Sequence, residues 1–414
     1  MEVQGSMDGQ PTGNGTHLGD RLARLRRLAG LTQEEVAERS GVSVDVVRKL
    51  EQHRKHSARL PTLHALAKGL GTEVTTLLGD PPAVASNGAP DPPALIELRR
   101  AIMPSLVPKP PGDLAGLSIS VLRQEIADAW TLYHSADFAR LLLVLPDIVN
   151  EARLLAAVGT PEQKAAGSAA LGKALQLAGH LAIRQGKTDL ALSALERAAH
   201  ASADSGDPLL TPMVYNSVAW AYQRQNRLDD AEELAVTAAD HVEHGLDSAD
   251  RVRVWGALVM SGATSAARLG DYDQARDMMT TAEEGAGRLA VLPPPEDDGR
   301  MLSVFSRSSV RIERVRLAVQ HGRPDEALTL AKGLRLSSDI PPSWRTWLLL
   351  DVARAYTDMS DAQSAVRTLE TLRRVAPKWI KHHTLAVAIV TDLWAGPSRP
   401  PGLRKLAEYL GVAA

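Results

Sequence analysis

The residues best placed to do chemistry in this chain lie between Thr32 and Arg59. Thr32 and Glu35 stand three apart, the spacing of a capping box, which predicts that a helix starts there. Gly41-Val42-Ser43 reads as a tight turn: Gly tolerates the positive φ such a turn needs, and Ser43 suits the cap of the next helix. On that helix Val47 and Leu50 point into a core with Val36 and Ala37, so Val44, Asp45, Arg48 and Lys49 are left on the outward face. A helix fits the major groove of DNA, where base edges differ in donors, acceptors and methyl groups. Arg48 or Lys49 could donate to guanine or phosphate, Asp45 could accept from a cytosine amino group, and Val44 could touch a thymine methyl. Asp45 equally suits the first turn of any helix through the dipole, and Arg48 equally suits a solvated surface. Arg54, Lys55, His56 and Arg59 trail the helix and are candidate backbone contacts.

Charge and composition agree with a DNA contact confined to this region. The chain has 414 residues and a net charge of −2, yet residues 17–79 hold eleven Lys and Arg against seven Asp and Glu. A local charge of +4 sits on a remainder of −6, a basic module on an acidic body. Aromatics are only 4% and Ala and Leu are abundant, which favours helix over sheet. The absence of Cys excludes disulfides, Cys-ligated metals and Cys nucleophiles, and it fits a reducing cytoplasm. No apolar run is long enough for a membrane span, and the polar, Gly-rich start lacks the apolar segment of a secretory signal. No Gly-rich phosphate loop, HExxH, GxSxG or DxDxDG motif is present. His382 and His383 are neighbours that would point apart on a helix, so no metal site and no cofactor are expected.

Length predicts two or three folding units. Residues 1–16 read as a disordered tail, with Gly5-Ser6-Met7 resembling a cloning remnant before a native start at Met7. Residues 17–79 form a series of short helices. Residues 80–113 are Pro-rich and read as a linker with a short helix at 95–103. Residues 114–414 form a helical array, unbroken from about 117 to 395 except at Gly, Asp and Pro. The array repeats itself: Gly186, Asn226, Gly270, Gly322 and Ser360 are turn residues, each followed five positions later by Ala191, Ala231, Ala275, Ala327 or Ala365. Seven residues after each Ala come Ala198, Ala238, Ala282, Leu334 and Leu372; twelve before come Gly179, Ala219, Ala263, Val315 and Ala353. Small residues at these offsets let two antiparallel helices approach closely. His134-Ser135-Ala136-Asp137-Phe138-Ala139 looks like a sixth, divergent copy, and 293–298 like a loop.

Both parts resemble known families. Leu18-Gly19-Asp20-Arg21-Leu22 with Leu25-Arg26, Leu31 through Ala37, Gly41-Val42-Ser43 and Glu51 resemble the Cro/lambda-repressor-like helix-turn-helix family, often called XRE. The helical copies, with Tyr222, Tyr356 and Pro377 at consensus places, resemble the tetratricopeptide repeat. The implied fold is all-α: a five-helix lambda-repressor-like domain followed by a tetratricopeptide-like α-solenoid. The first resemblance implies that Ser43, Val44 and Asp45 lead into the groove. Gln33 would then sit beside phosphate at the start of helix two, and the basic residues of helix one, Arg24, Arg26 and Arg27, would be mostly a solvated face. Many relatives carry Gln, Asn or Ser where Val44 and Asp45 stand.

The repeat resemblance implies a concave groove lined by the first helix of each pair. It places Gln176, His180, Arg184, Asn216, Trp220, Gln223, Arg224, Arg268, Arg316 and Arg354 on or near that groove. The arginines there read either as cations at helix C-termini or as a basic groove for an acidic or carboxylate-bearing ligand. Asn216 could clamp a peptide backbone or simply cap locally. The layout resembles helix-turn-helix regulators with tetratricopeptide repeats from Gram-positive bacteria, several of which bind signalling peptides, as in quorum sensing. The excess of Arg over Lys points to a high-GC, actinobacterial type of genome. The implied function is a homodimeric transcription regulator on a two-half-site operator in double-stranded DNA, sensing a peptide or small molecule. The alternatives are a protein-interaction adaptor localised by its DNA-binding domain and, less favoured, a DNA-linked enzyme.

Overall fold

The computed structural model describes residues 18–55, 58–72, 74–78, 91–107, 117–293, 304–334 and 340–412. The expected tail at 1–16, His56 and most of the loop at 293–298 lie outside the described residues. The chain divides into two compact units, Met1–Asp80 and Pro81–Ala414.

Five helices build the first unit: α1 Leu18–Leu28, α2 Gln33–Ser40, α3 Val44–Glu51, α4 Leu60–Gly69 and α5 Val74–Leu78. Its core is the set of apolar residues spaced three and four apart. Leu22, Val36, Val47, Leu50, Leu63, Leu66 and Leu77 are all at most 1% exposed. Gly19 lets α1 and α3 touch, since a Cβ there would stand 2.0 Å from the Leu50 carbonyl oxygen. Gly41, at φ +65°, ends α2 in the left-handed conformation expected of the turn.

The second unit opens with α6 Pro93–Ile102, followed by α7 Ile119–His134 and α8 Phe138–Ala157. Next come α9 Pro161–Arg184, α10 Thr188–Asp204, α11 Leu210–Arg224, α12 Leu228–Glu243, α13 Ala249–Leu269 and α14 Tyr272–Arg288. The series ends with α15 Arg307–Gln320, α16 Pro324–Ala331, α17 Pro342–Asp358, α18 Ala362–Val375, α19 Pro377–Lys381, α20 Thr384–Ala395 and α21 Leu403–Leu410. No described helix is long and apolar enough to cross a membrane.

Six antiparallel hairpins, from α7–α8 to α17–α18, share one turn. Ala136, Gly186, Asn226, Gly270, Gly322 and Ser360 all have φ between +57° and +107°. In each, the next residue donates its N–H to a carbonyl five positions back at 2.9 Å, as Lys187 does to Ala182 and Asp361 to Tyr356. Leu141, Ala191, Ala231, Ala275, Ala327 and Ala365, five residues on, are fully buried. Gly179 shows why the facing positions are small: a Cβ there would lie 2.7 Å from Leu195 Cγ. The copy at Gly322 departs from the expected pattern. Its second helix stops at Ala331 and Gly333 turns at φ +73°, so Leu334 falls beyond the helix.

The short helix expected inside the linker is α6, and it packs within the second unit, on α8, α9 and α10. Leu95, Leu98, Ala101 and Ile102 are buried, and Asp91 pairs with Arg99 at 2.7 Å and Lys187 at 2.8 Å. A Pro at the helix start costs nothing, because the first N–H groups have no partner in a helix anyway.

Candidate nucleic-acid interface

The start of α2 is fixed by the expected capping box. Thr32 Oγ1 accepts from the Glu35 N–H at 3.1 Å, and the Glu35 carboxylate accepts from the Thr32 N–H at 2.6 Å. Ser43 precedes α3 in extended conformation and is exposed, but its hydroxyl makes no capping bond. The far end of α3 is held by charge. Glu51 accepts from Arg26 Nε at 2.7 Å and Nη2 at 2.9 Å, and from Gln33 Nε2 at 2.7 Å. Burial alone pushes the Glu51 carboxyl up, but these donors and the charges of Arg26 and Arg27 hold it below its usual value. Arg26 is therefore a structural counter-ion with a 17% exposed side chain, not part of a solvated face. Gln33 spends its amide N–H on Glu51 while lying half-buried at the first position of α2.

With Val47 and Leu50 buried, the outward face of α3 is the one expected. Asp45, Arg48 and Lys49 are exposed and Val44 is half-buried. Arg48 Nη2 lies 3.0 Å from Glu34 Oε1, and Lys49 Nζ lies 2.7 Å from Asp45 Oδ2. Both pairs are at least half exposed, where such contacts contribute at most about 1 kcal/mol, so phosphate or a guanine edge can replace them. Arg54, Lys55 and Arg59 are exposed beyond α3, and the Lys55 N–H bonds the Lys49 carbonyl at 3.0 Å. Glu34 and its grip on Arg48 were not foreseen; both residues follow from helix starts, but their meeting requires the angle between α2 and α3.

The second unit gathers its expected groove residues into buried networks. Gln176 donates to Ser217 Oγ at 2.8 Å, and a ring nitrogen of His180 lies 2.9 Å from the same oxygen. Trp220 stacks on His180 with ring centroids 4.8 Å apart. Gln223 donates to the Ser261 carbonyl and to Ser265 Oγ at 3.0 Å each, and Arg268 donates to the Gln223 carbonyl at 2.7 Å. Asn216 and Arg224 are half-buried on α11.

Arg316 and Arg354 do not present open cations. Arg316 pairs with Glu313 at 3.0 Å and Asp351 at 3.4 Å; Arg354, 2% exposed, pairs with Asp358 at 2.6 Å and Asp392 at 2.8 Å. Burial pushes Asp351 and Asp392 up to about 6 despite their arginines. A buried guanidinium needs its counter-ions; Glu313, three residues from Arg316, and Asp358, four from Arg354, were visible as helical neighbours, whereas Asp351 and Asp392 come from other helices. Sequence reasoning also missed the meeting of Trp130, Tyr133, His134 and Trp379. Trp379 Nε1 donates to the His134 carbonyl at 2.6 Å, and a His134 ring nitrogen lies 2.9 Å from Ser343 Oγ. Burial, then the Arg184 charge, lowers His134 to about 4 and His180 to about 3.

Comparison with known proteins separates the two units. Residues 17–77 match the family model described as a helix-turn-helix domain. The chain is 44% identical over 61 residues to an uncharacterized HTH-type transcriptional regulator, y4dJ, of Sinorhizobium fredii. That stretch is 15% of this chain and 78% of the relative. Among solved structures the chain is similar to BtubC from P. vanneervenii, with 19% identity, a TM-score of 0.39 and coverage of 67% of this chain and 95% of that one. It is also similar to Bacillus thuringiensis PlcR in complex with the peptide PapR7 and DNA, with 13% identity, a TM-score of 0.38 and coverage of 86% and 99%. Through its first unit, the chain belongs to the helix-turn-helix transcriptional regulators.

Proposed function

We propose that this regulator reads a two-half-site operator as a homodimer, with α3 in the major groove, and that its repeat unit supplies the dimer surface and senses a peptide or small-molecule signal. The observation that carries the reading is the division of α3 into two faces. Val47 and Leu50 anchor it, Glu51 ties its end to α1 and α2, and Asp45, Arg48 and Lys49 stand exposed on one side. Base contacts from Arg48 or Lys49 would specify sequence, while Arg54, Lys55 and Arg59 would add phosphate contacts and fix the register. Two-fold symmetry in the protein would match two half-sites about one helical turn apart. Stacked hairpins bury one face on their neighbours, and the remaining face would serve these roles. Operator binding by wild type and by the double variant Arg48→Ala, Lys49→Ala tests the assignment. Loss of specific binding with the fold intact supports it; unchanged binding overturns it.

A further inference from the structure

Three arginines of the repeat unit, Arg354 buried and Arg184 and Arg316 half-buried, are not treated alike. Arg316 and Arg354 each have two carboxylates. Arg184, at the end of α9, forms no ion pair among the described residues. Its guanidinium lies 5.4 Å from the Trp220 ring and 5.1 Å from the Trp379 ring, and Nε donates to Tyr133 Oη at 3.3 Å. Four histidines lie within reach of its charge. Burial, with the Arg184 charge as a further cause, lowers His134, His180, His382 and His383. Two nitrogens of this cluster are buried without any hydrogen-bond partner, Trp130 Nε1 and His383 Nε2. Trp130 packs on Tyr133, which bonds Arg184, at 5.6 Å, and His383 packs on Trp379 at 5.5 Å.

A positive charge without an ion pair among the described residues, beside an indole N–H and an imidazole nitrogen that lack hydrogen-bond partners, is costly inside a protein. They match the needs of one kind of guest, a group that is negative and accepts hydrogen bonds. The planar guanidinium fork matches the geometry of a planar carboxylate. Arg184 lies where the first hairpin meets α19. Lys378 pairs with Asp137 at 2.9 Å, and Trp379 packs on Phe138 with centroids 5.5 Å apart.

We propose that Arg184, with Trp130 Nε1 and His383 Nε2, forms a binding site for the carboxylate of a small organic acid or of a peptide C-terminus. The proposal deepens the signal-sensing reading of the repeat unit and names the chemistry of the signal. A carboxylate there would touch α7 and α9 on one side and the α19–α20 segment on the other, so its binding would fasten the last helices to the first hairpin.

The test is a titration of the full chain, without DNA, followed by tryptophan fluorescence. The probes are succinate, tetra-alanine with a free C-terminus, and tetra-alanine amide. Saturable binding of succinate or of the free-acid peptide supports the site, and which of the two binds identifies the source of the carboxylate. Arg184→Gln should weaken that binding at least about tenfold, the loss of one charge-assisted contact. It removes an uncompensated charge and leaves the fold in place. Trp130→Phe, which deletes only an N–H, should weaken binding severalfold. Arg404→Gln, an exposed arginine on α21, should bind as wild type does. Equal binding of the amide, no saturable binding of any probe, or full binding by Arg184→Gln overturns the proposal. Binding that leaves operator affinity unchanged overturns the signalling reading while the site stands.

Discussion

Replacing Arg26 by Met should open the first unit while sparing the second. The Glu51 side chain is 7% exposed and accepts three hydrogen bonds, two of them from Arg26. Met has similar length but no charge, so the carboxylate would be left buried with Gln33 as its remaining side-chain donor. Breaking one partner out of a buried pair costs about 3–5 kcal/mol. A unit of this size has roughly 3–9 kcal/mol in total, so the variant would lie near its unfolding threshold. Replacing both partners, as Arg26→Met with Glu51→Leu, removes the stranded charge and should recover most of the loss. Hydrogen exchange of the full chain, followed on peptides from 18–78 and separately on peptides from the repeat unit, reads both effects. The wild-type contribution is present at neutral pH. It fades as pH falls through the lowered pKa of Glu51, because the unfolded chain takes up that proton first. A loss under about 1 kcal/mol in Arg26→Met would show that the pair behaves like a surface contact. The claim that it sets the end of α3 would then be refuted.

Two further predictions concern the repeat unit. His134 is neutral in the fold down to about pH 4, against an ordinary value near 6.5, so its contribution is complete above about pH 6.5 and is lost as pH falls toward 4. The loss is up to about 3 kcal/mol; Asp351 and Asp392, raised to about 6, act in the opposite sense, so His134→Asn against wild type in chemical denaturation at pH 7 and pH 5 isolates it. An unchanged pH dependence in His134→Asn would refute the assignment. At Ser360, exposed at φ +63°, Val should lower the thermal midpoint by an amount equivalent to roughly 1–2 kcal/mol while Gly should not lower it; equal midpoints for Val and Gly would contradict the shared left-handed turn.

What was legible in the sequence was local. The capping box at Thr32, the turn at Gly41 and the core spacing of Val36, Val47 and Leu50 all act within a few residues, and the structure bears each of them out. The hairpin turns were legible for the same reason, since a left-handed residue closing a helix is cheapest as Gly or Asn. What failed depended on distance in sequence. Arg26 faces outward on its own helix pattern and is buried only because Glu51 arrives from 25 residues away. Arg316 and Arg354 read either as helix-end cations or as part of a basic groove, and the carboxylates on other helices that pair with them were not visible. Pro93 suggested a linker, although Leu95, Leu98 and Ile102 already marked a helix with one face to bury. Gly333 carried the signal that α16 stops early.

The central claim is that α3 reads DNA sequence, and selection from a pool of random duplexes tests it most directly. Wild type is expected to enrich a motif of two related half-sites about one helical turn apart. The double variant Arg48→Ala, Lys49→Ala, with its repeat unit intact, should enrich no such motif. A motif recovered equally well by both proteins, or none recovered by wild type, would contradict the account.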